Sequence, residues 1–344
     1  VITGHFVSEF TREGNKISSL KLDSGSQIET DFVIISTGIR PNTELLKSKG
    51  AKTLENGALI VNEHMQTSLP SIFAAGDNVS VKNLLTGKYD YFPMGTHSNK
   101  GGRAAGANAA GSHEVFKGAY QTAIIKIYDM SLARSGLSRK DLDRLGWDYE
   151  TNLIIAGSTP GYYPGKKDVI IELYYNTKDH SIYGAEIFGE IGVDKRIDVL
   201  STAIYAKLKM DDLKHLDLAY APPYSPAKDP VIVNGFVSSN VFNENYNEIS
   251  VEDFIQEINQ DKDIQLLDVR TPKECFIDGQ IPGARNIELH QLRDRLDELD
   301  KERETRIYCY RGLRGYLASR ILKQNGFKKV KNLSMHDFGQ SFAS

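Results

Sequence analysis

Arg306-Ile307-Tyr308-Cys309-Tyr310-Arg311-Gly312-Leu313-Arg314 holds a strand, a tight loop and the start of a helix within nine residues. Arg306-Ile307-Tyr308 reads as the strand; Leu313, Leu317 and Ile321 follow at helical spacing, and Gly326 stops the helix. A cysteine at such a junction faces the unpaired N–H groups of the helix's first turn and the positive end of its dipole. Arg311 and Arg314 add fixed charge, and Gly312 permits the curl. Each of these favours thiolate over thiol, so Cys309 is expected to ionise more readily than a free cysteine. A thiolate held this way can attack a sulfane sulfur and keep the resulting persulfide, itself an anion. The competing reading is an inert, buried cysteine, the common fate of a free thiol.

Working outward, residues 264–269 form a buried strand. Ser250 can cap a helix whose apolar face is Val251, Phe254, Ile255 and Ile258. Strands alternating with helices predict a parallel sheet covered on both faces. The polar stretch 240–247 lacks periodicity and reads as a linker. Before it, Pro222-Pro223, Pro226 and Pro230 mark residues 221–230 as extended. Strand-rich segments at 123–128, 169–175 and 182–188 precede a helix through Val193, Ile197, Leu200, Ile204 and Leu208, the pattern of an α+β module. In the first third, residues 16–22 and 27–35 are expected strands joined by a turn at Asp23-Ser24-Gly25-Ser26. Residues 34–38, 58–61 and 71–77 read as further strands, and residues 98–111 as a helix of small residues.

The chain has 344 residues, enough for two or three domains. Its 25% charged content and net charge of -3 give no argument for a nucleic-acid or membrane partner. No apolar run approaches the roughly 20 residues of a membrane span. Two cysteines, Cys275 and Cys309, are too few for a disulfide scaffold or a cysteine-rich metal centre, so no metal is expected. They suit a reducing, cytoplasmic setting. The sequence opens on Val1 within what reads as a strand, and the chain is expected to be the later part of a longer protein.

The last domain resembles the rhodanese homology domain along its whole length. Leu267-Asp268-Val269-Arg270 is similar to that family's early strand motif. Gly279-Gln280-Ile281-Pro282-Gly283-Ala284-Arg285-Asn286-Ile287 matches its Gly-His-Ile-Pro-Gly-Ala-x-Asn-Ile signature, with Gln280 for the usual His. Asn332-Leu333-Ser334 resembles the closing strand, although Met335-His336-Asp337-Phe338 stands where the family has a Gly-Gly pair and then a terminal helix. Related phosphatases also use Cys and Arg around an anion loop but carry one residue more than the six from Cys309 to Arg314. The shorter loop implies sulfur transfer. Asp268 and Arg270 are expected either to orient the loop or to form a surface ion pair, and Cys275 to pack in the core.

Residues 1–240 resemble the later two-thirds of a pyridine nucleotide-disulfide oxidoreductase, of the CoA-disulfide reductase and NADH-dependent persulfide reductase branch. Ser36-Thr37-Gly38-Ile39-Arg40-Pro41-Asn42 is similar to the family's Ala-Thr-Gly-x-x-Pro-Asn segment. Ile72-Phe73-Ala74-Ala75-Gly76-Asp77 is similar to the strand whose Asp bonds the ribityl chain of FAD. The resemblance implies Gly38, Gly76, Asp77, Asn99 and Lys100 as cofactor contacts. In residues 158–165 and 218–226 it implies tyrosines reaching across a homodimer, by position Tyr162 and Tyr220, with Tyr163 and Tyr224 as alternatives. Ser158 and Lys228 fall where the family contacts coenzyme A.

The implied architecture is a multidomain α/β and α+β chain. Residues 1–38 would be a remnant of an NAD(P)-binding domain and 39–112 the end of an FAD-binding three-layer domain. Residues 113–238 would be an α+β dimerisation domain, 239–248 a linker, and 249–344 a rhodanese-like α/β domain with a parallel sheet. No Gly-x-Gly-x-x-Gly opens a βαβ unit, and both cysteines lie in the last domain. The fingerprint and the reductase cysteine are therefore expected upstream of Val1, with the FAD and NAD(P)H sites incomplete here. The expected function is part of a reductase of CoA disulfide or of a small-thiol persulfide, with Cys309, Arg311 and Arg314 as the sulfur-carrying centre and Tyr162 and Tyr220 beside the thiol substrate. The alternatives are a stand-alone sulfurtransferase on a dimerisation platform and a non-enzymatic scaffold.

Overall fold

The computed structural model describes residues 1–243, 246–260 and 263–333, the side chain of Glu252 excepted. Three antiparallel strands open the chain: β1 (Val7–Glu13), β2 (Lys16–Leu22) and β3 (Gln27–Glu29). The turn between β2 and β3 is closed by Leu22 N–H donating to the Ser26 carbonyl at 2.8 Å. Next come a short helix α1 (Glu44–Lys47), strands β4 (Leu59–Ile60), β5 (Val79–Lys82) and β6 (Tyr89–Asp90), and the helix α2 (Gly95–Ala109). Leu59, Val61, Met65, Val79, Val81, Phe92, Ala104 and Ala105 form their common core.

Residues 27–35, 34–38 and 71–77 depart from expectation. The first is a strand only over Gln27–Glu29, residues 33–38 form no ladder, and 71–77 makes a single bridge from Phe73 to Gln66. A strand is a pairing state, and no described segment lies alongside residues 33–38 to complete one. Phe32, Ile34 and Ile35 accordingly stand exposed.

The middle of the chain is a five-stranded antiparallel sheet in the order β7-β8-β11-β10-β9. Its strands are β7 (Ala123–Ile127), β8 (Met130–Gly136), β9 (Tyr149–Gly157), β10 (Asp168–Asn176) and β11 (Ile182–Gly189), with helix α3 (Arg139–Leu145) between β8 and β9. Alternate residues of β10, namely Val169, Ile171 and Leu173, turn into one core. Helix α4 (Val193–Tyr205) covers that face with Val193, Ile197, Leu200 and Ile204, as its periodicity predicts, but it ends before Leu208, which packs on the same core from the following turn. Helix α5 (Pro230–Phe242) packs against it through Val231, capped by the Asp229 carboxylate accepting from Val231 N–H and started by Pro230 at its first turn. The helix runs through Phe242, so the first residues of the expected linker at 240–247 are helical.

The last unit is a parallel sheet in the order β12-β16-β15-β13-β14. It comprises β12 (Glu248–Ile249), β13 (Gln265–Asp268), β14 (Arg285–Asn286), β15 (Thr305–Tyr308) and β16 (Val330–Leu333), with helices α6 (Val251–Gln260), α7 (Pro272–Asp278) and α8 (Leu313–Gln324). The pleat sends Leu267, Val269, Ile307 and Cys309 to the face under α8, and Leu266 and Tyr308 to the face under α6, where Phe254 is fully buried. Ser250 Oγ accepts from Asp253 N–H at 3.1 Å, the cap read from the sequence. Helix α8 buries Gly315, Ala318, Ile321 and Leu322, whereas Leu313 and Leu317 are exposed, contrary to expectation. The first turns of α8 meet the sheet through Gly315, Ala318 and Ser319, which leaves Leu313 and Leu317 on the opposite side. Residues 335–338, where the terminal helix stood in question, lie outside the described residues.

Candidate functional site

Strand β15 delivers Cys309 to the N-terminus of α8. Gly312 takes φ +83°, a conformation that disfavours any residue with a Cβ. No side chain caps α8, so its first amides stay available. Cys309 Sγ accepts from the Gly315 N–H at 3.4 Å. The residue is 1% exposed, yet it lines a cleft of about 510 Å³ with Glu274, Asp278, Tyr310, Arg311, Leu313 and Arg314. The thiol is thus a floor group: buried by its neighbours and open along one direction.

The two arginines are placed differently from the sequence expectation, in which both served only the sulfur. Arg314 makes a bidentate pair with Glu274, both bonds 2.7 Å. That hydrogen bond raises the arginine's pKa against the lowering effect of burial, and the Cys309 sulfur adds a smaller contribution. Glu274 is pulled down to about 2, first by Arg314 and also by the Thr271 cap. Arg311 points to another domain: its Nη2 lies 2.6 Å from Asp168 Oδ2 at the start of β10. Its Nε is buried without a hydrogen-bond partner among the described residues. Since both guanidinium groups face carboxylates, the uncompensated polarity of the loop comes largely from main-chain N–H groups.

Behind the loop, Asp268 and Arg270 form a fully buried pair rather than a surface one, 2.8 Å apart, and Arg270 Nη2 also donates to the Gly279 carbonyl at 2.6 Å. They tie β13 to the turn after α7. Cys275 is half-buried and donates to Asp268 Oδ2 at 3.3 Å rather than simply packing. Burial, then Asp268, pushes its thiol up to about 11.

In the middle domain the two tyrosine-bearing stretches meet. Tyr162 and Tyr220 are both exposed, and the neighbouring Tyr220 hydroxyl raises the Tyr162 pKa. Tyr163 is half-buried, and Tyr224 is exposed. The stretches are drawn together by Arg196, almost wholly buried, which donates to Asp229 and to the Ser158 carbonyl at 3.1 Å. Ser158 is buried, its Oγ accepting from Lys167 N–H at 3.1 Å, so its hydroxyl serves the fold. Lys228 is exposed, with Nζ 5.9 Å from the Phe236 ring centre. Arg196, Asp168 and Glu274 escaped the sequence reading, and only Asp229, as an Asp-Pro helix start, left a local signal.

The third group lies on the first domain. Gly38 and Gly76 have φ of +91° and +89°, with open space where a Cβ would stand. Their turns are adjacent, because Asn42 N–H donates to Asn78 Oδ1 at 3.0 Å. Asp77 is exposed and accepts from Ser98 Oγ at 2.8 Å. Asn99 and Lys100 are exposed on the first turns of α2, Asn99 donating to the Gly95 carbonyl. Two unobstructed backbone turns, a carboxylate and a helix N-terminus without a side-chain cap fit one side of a hydroxyl- and phosphate-bearing cofactor such as FAD.

Family comparisons agree with this arrangement. Residues 1–103 match the pyridine nucleotide-disulphide oxidoreductase model, 122–230 its dimerisation domain and 250–336 the rhodanese-like domain. The chain belongs to the pyridine nucleotide-disulphide oxidoreductase family, in the form that carries a rhodanese-like domain. It is 37% identical over 221 residues to an NAD(P)H sulfur oxidoreductase (CoA-dependent) of Pyrococcus furiosus, covering 64% of this chain and 50% of the relative. It is 33% identical over 214 residues to a coenzyme A disulfide reductase of Staphylococcus haemolyticus, covering 62% and 48%. Among solved structures, an NAD-dependent persulfide reductase from A. fulgidus aligns with TM-score 0.88 at 38% identity, over 100% of this chain and 61% of that one. The reduced Bacillus anthracis CoADR-RHD aligns with TM-score 0.87 at 38% identity, over 96% and 58%. The chain thus spans about half the length of these curated relatives.

Proposed function

We propose that this chain forms part of a flavin-dependent reductase of CoA disulfide or persulfide, in which Cys309 carries the sulfane sulfur. The observation that carries the reading is the Cys309 sulfur on the floor of an open cleft, receiving a main-chain N–H at the N-terminus of α8. The names of the relatives support the substrate class. The matched dimerisation domain supports a homodimer.

The transfer step needs only groups present here. The Cys309 thiolate attacks the outer sulfur of a persulfide R–S–SH. The S–S bond of the donor breaks, and RS⁻ leaves with the electron pair. The outer sulfur, with its proton, is now bonded to Cys309. Loss of that proton gives a persulfide anion, which the first-turn amides of α8 and the guanidinium groups of Arg311 and Arg314 lining the cleft stabilise. Tyr162 and Tyr220, exposed and close to one another, form a polar surface on which a thiol substrate would be oriented, with Lys228 as an exposed cation for a phosphate. Gly38, Gly76, Asp77, Asn99 and Lys100 would hold part of FAD. When bound, FAD would supply two-electron transfer from NAD(P)H to a disulfide or sulfane sulfur.

Incubation with a glutathione or CoA persulfide should add one sulfur atom to the Cys309 peptide by mass spectrometry. Cys309→Ser should reduce transfer of sulfur to cyanide to background. Full transfer by the serine variant would remove the sulfur-carrier role.

A further inference from the structure

Two polar side chains behind the Cys309 loop take no part in the chemistry above. Asn332, on β16, is fully buried. Its Nδ2 donates to the Tyr246 hydroxyl at 2.6 Å and to the Gly312 carbonyl at 3.3 Å. Its Oδ1 has no hydrogen-bond partner and lies 1.7 Å from where a Cβ on Gly315 would be. Tyr246 is buried, and its ring meets Tyr316 of α8 edge-on, centroids 5.4 Å apart. Its neighbour Asn247 accepts the Asn332 main-chain N–H at 2.8 Å.

A buried amide with an unsatisfied oxygen costs free energy that a leucine of similar volume would not. Its geometry gives it a use. The Gly312 carbonyl also accepts from Tyr316 N–H at 2.8 Å, so two donors hold it pointing along α8. Across a trans peptide the next N–H points the opposite way, so the Leu313 amide is turned toward the loop's mouth. Asn332 also touches Gly315, whose N–H meets the sulfur. One side chain therefore fixes two main-chain dipoles of the cradle, and Tyr246 fixes that side chain. Burial, then the Glu248 carboxylate, holds the Tyr246 phenol in its neutral form, which keeps a second anion out of the site.

We infer that Asn332 and Tyr246 are positioning residues that set the amides around the Cys309 sulfur, so that the segment just before β12 tunes the thiol. This rests on Cys309 being the sulfur carrier. The charged and titratable groups facing Cys309 are Tyr310, Arg311 and Arg314 of its loop, Glu274 and Asp278 of α7, and Tyr246 itself. The variants chosen leave the first five intact.

The test is the pH profile of iodoacetamide alkylation, read on the Cys309 peptide by mass spectrometry in the whole chain. Tyr246→Phe keeps the ring and removes the hydroxyl; Asn332→Leu keeps the volume and removes the amide. Each should move the midpoint upward, giving about three- to tenfold slower alkylation at neutral pH, while near-ultraviolet circular dichroism stays that of the parent. A folded Tyr246→Phe variant with the parental midpoint overturns the inference, and it decides alone if Asn332→Leu does not fold. The parental profile separately tests the carrier reading. A parental midpoint at the ordinary thiol value of about 8.5 counts against that reading, whereas the difference between parent and variant tests only the positioning role.

Discussion

At the scale of single residues, the two cysteines have opposite surroundings. Cys275 is more exposed but donates to a carboxylate, which keeps it protonated; Cys309 is covered but receives an N–H at the mouth of a helix. Exposure alone would have favoured Cys275 over the thiol proposed as the sulfur carrier. Glu274 matters to both sides of that contrast, since it pairs with Arg314 and completes the cap of α7. Its folded pKa, about 2, lies below the ordinary carboxyl value of 4.5. Stability from this group is therefore present above pH 4.5 and is lost as pH falls toward 2. Glu274→Gln is expected to be less stable than the parent at neutral pH, with the gap closing across that interval. Urea unfolding of both proteins at a series of pH values measures this; a gap independent of pH would show that the carboxylate's charge contributes nothing.

Among elements, the contact of α8 with β16 sets the loop. The helix can lie close to the sheet because Gly315 has no side chain, and Asn332 occupies the space. Gly315→Ala would press a methyl group into the Asn332 amide, for which overpacking costs about 1–3 kcal/mol. Alanine favours helix over glycine by about 1 kcal/mol, which offsets only part of that. A net loss of stability is expected, together with slower alkylation of Cys309, because the same shift displaces the Gly312 carbonyl bond. A variant as stable and as reactive as the parent would mean that the helix slides freely on the sheet. The exposed Leu313 and Leu317 follow from the same packing: Gly315, Ala318 and Ser319 face inward over the first turns of α8, so these two leucines face outward.

For the whole molecule, the loop is joined to the middle domain through Arg311 and Asp168, side chains 36% and 30% exposed. A partly exposed pair is worth about 0–1 kcal/mol. Asp168→Asn should therefore barely move the melting curve. It should nevertheless speed amide hydrogen exchange in the peptide spanning residues 309–315, because one tether on that loop is gone. Unchanged exchange would make the bridge incidental. The unpaired apolar stretch at 32–35 belongs to this scale as well. Its residues have strand propensity, but the described chain offers it no neighbour.

Sequence alone determined what is local. The strand–loop–helix around Cys309, the Ser250 cap, the strands at 16–22 and 182–188 and the α4 face all depend on residues a few positions apart, whose periodicity and turn chemistry are legible in a line of text. The resemblance to both families was legible for the same reason, since their motifs are contiguous. Tertiary structure decided every pairing over distance: Arg311 with Asp168, Arg314 with Glu274, Arg196 with Asp229 and Tyr246 with Asn332. It also decided which apolar runs become strands. A hydrogen-bond ladder or an ion pair needs a second group in the right place, and only the folded chain supplies that place.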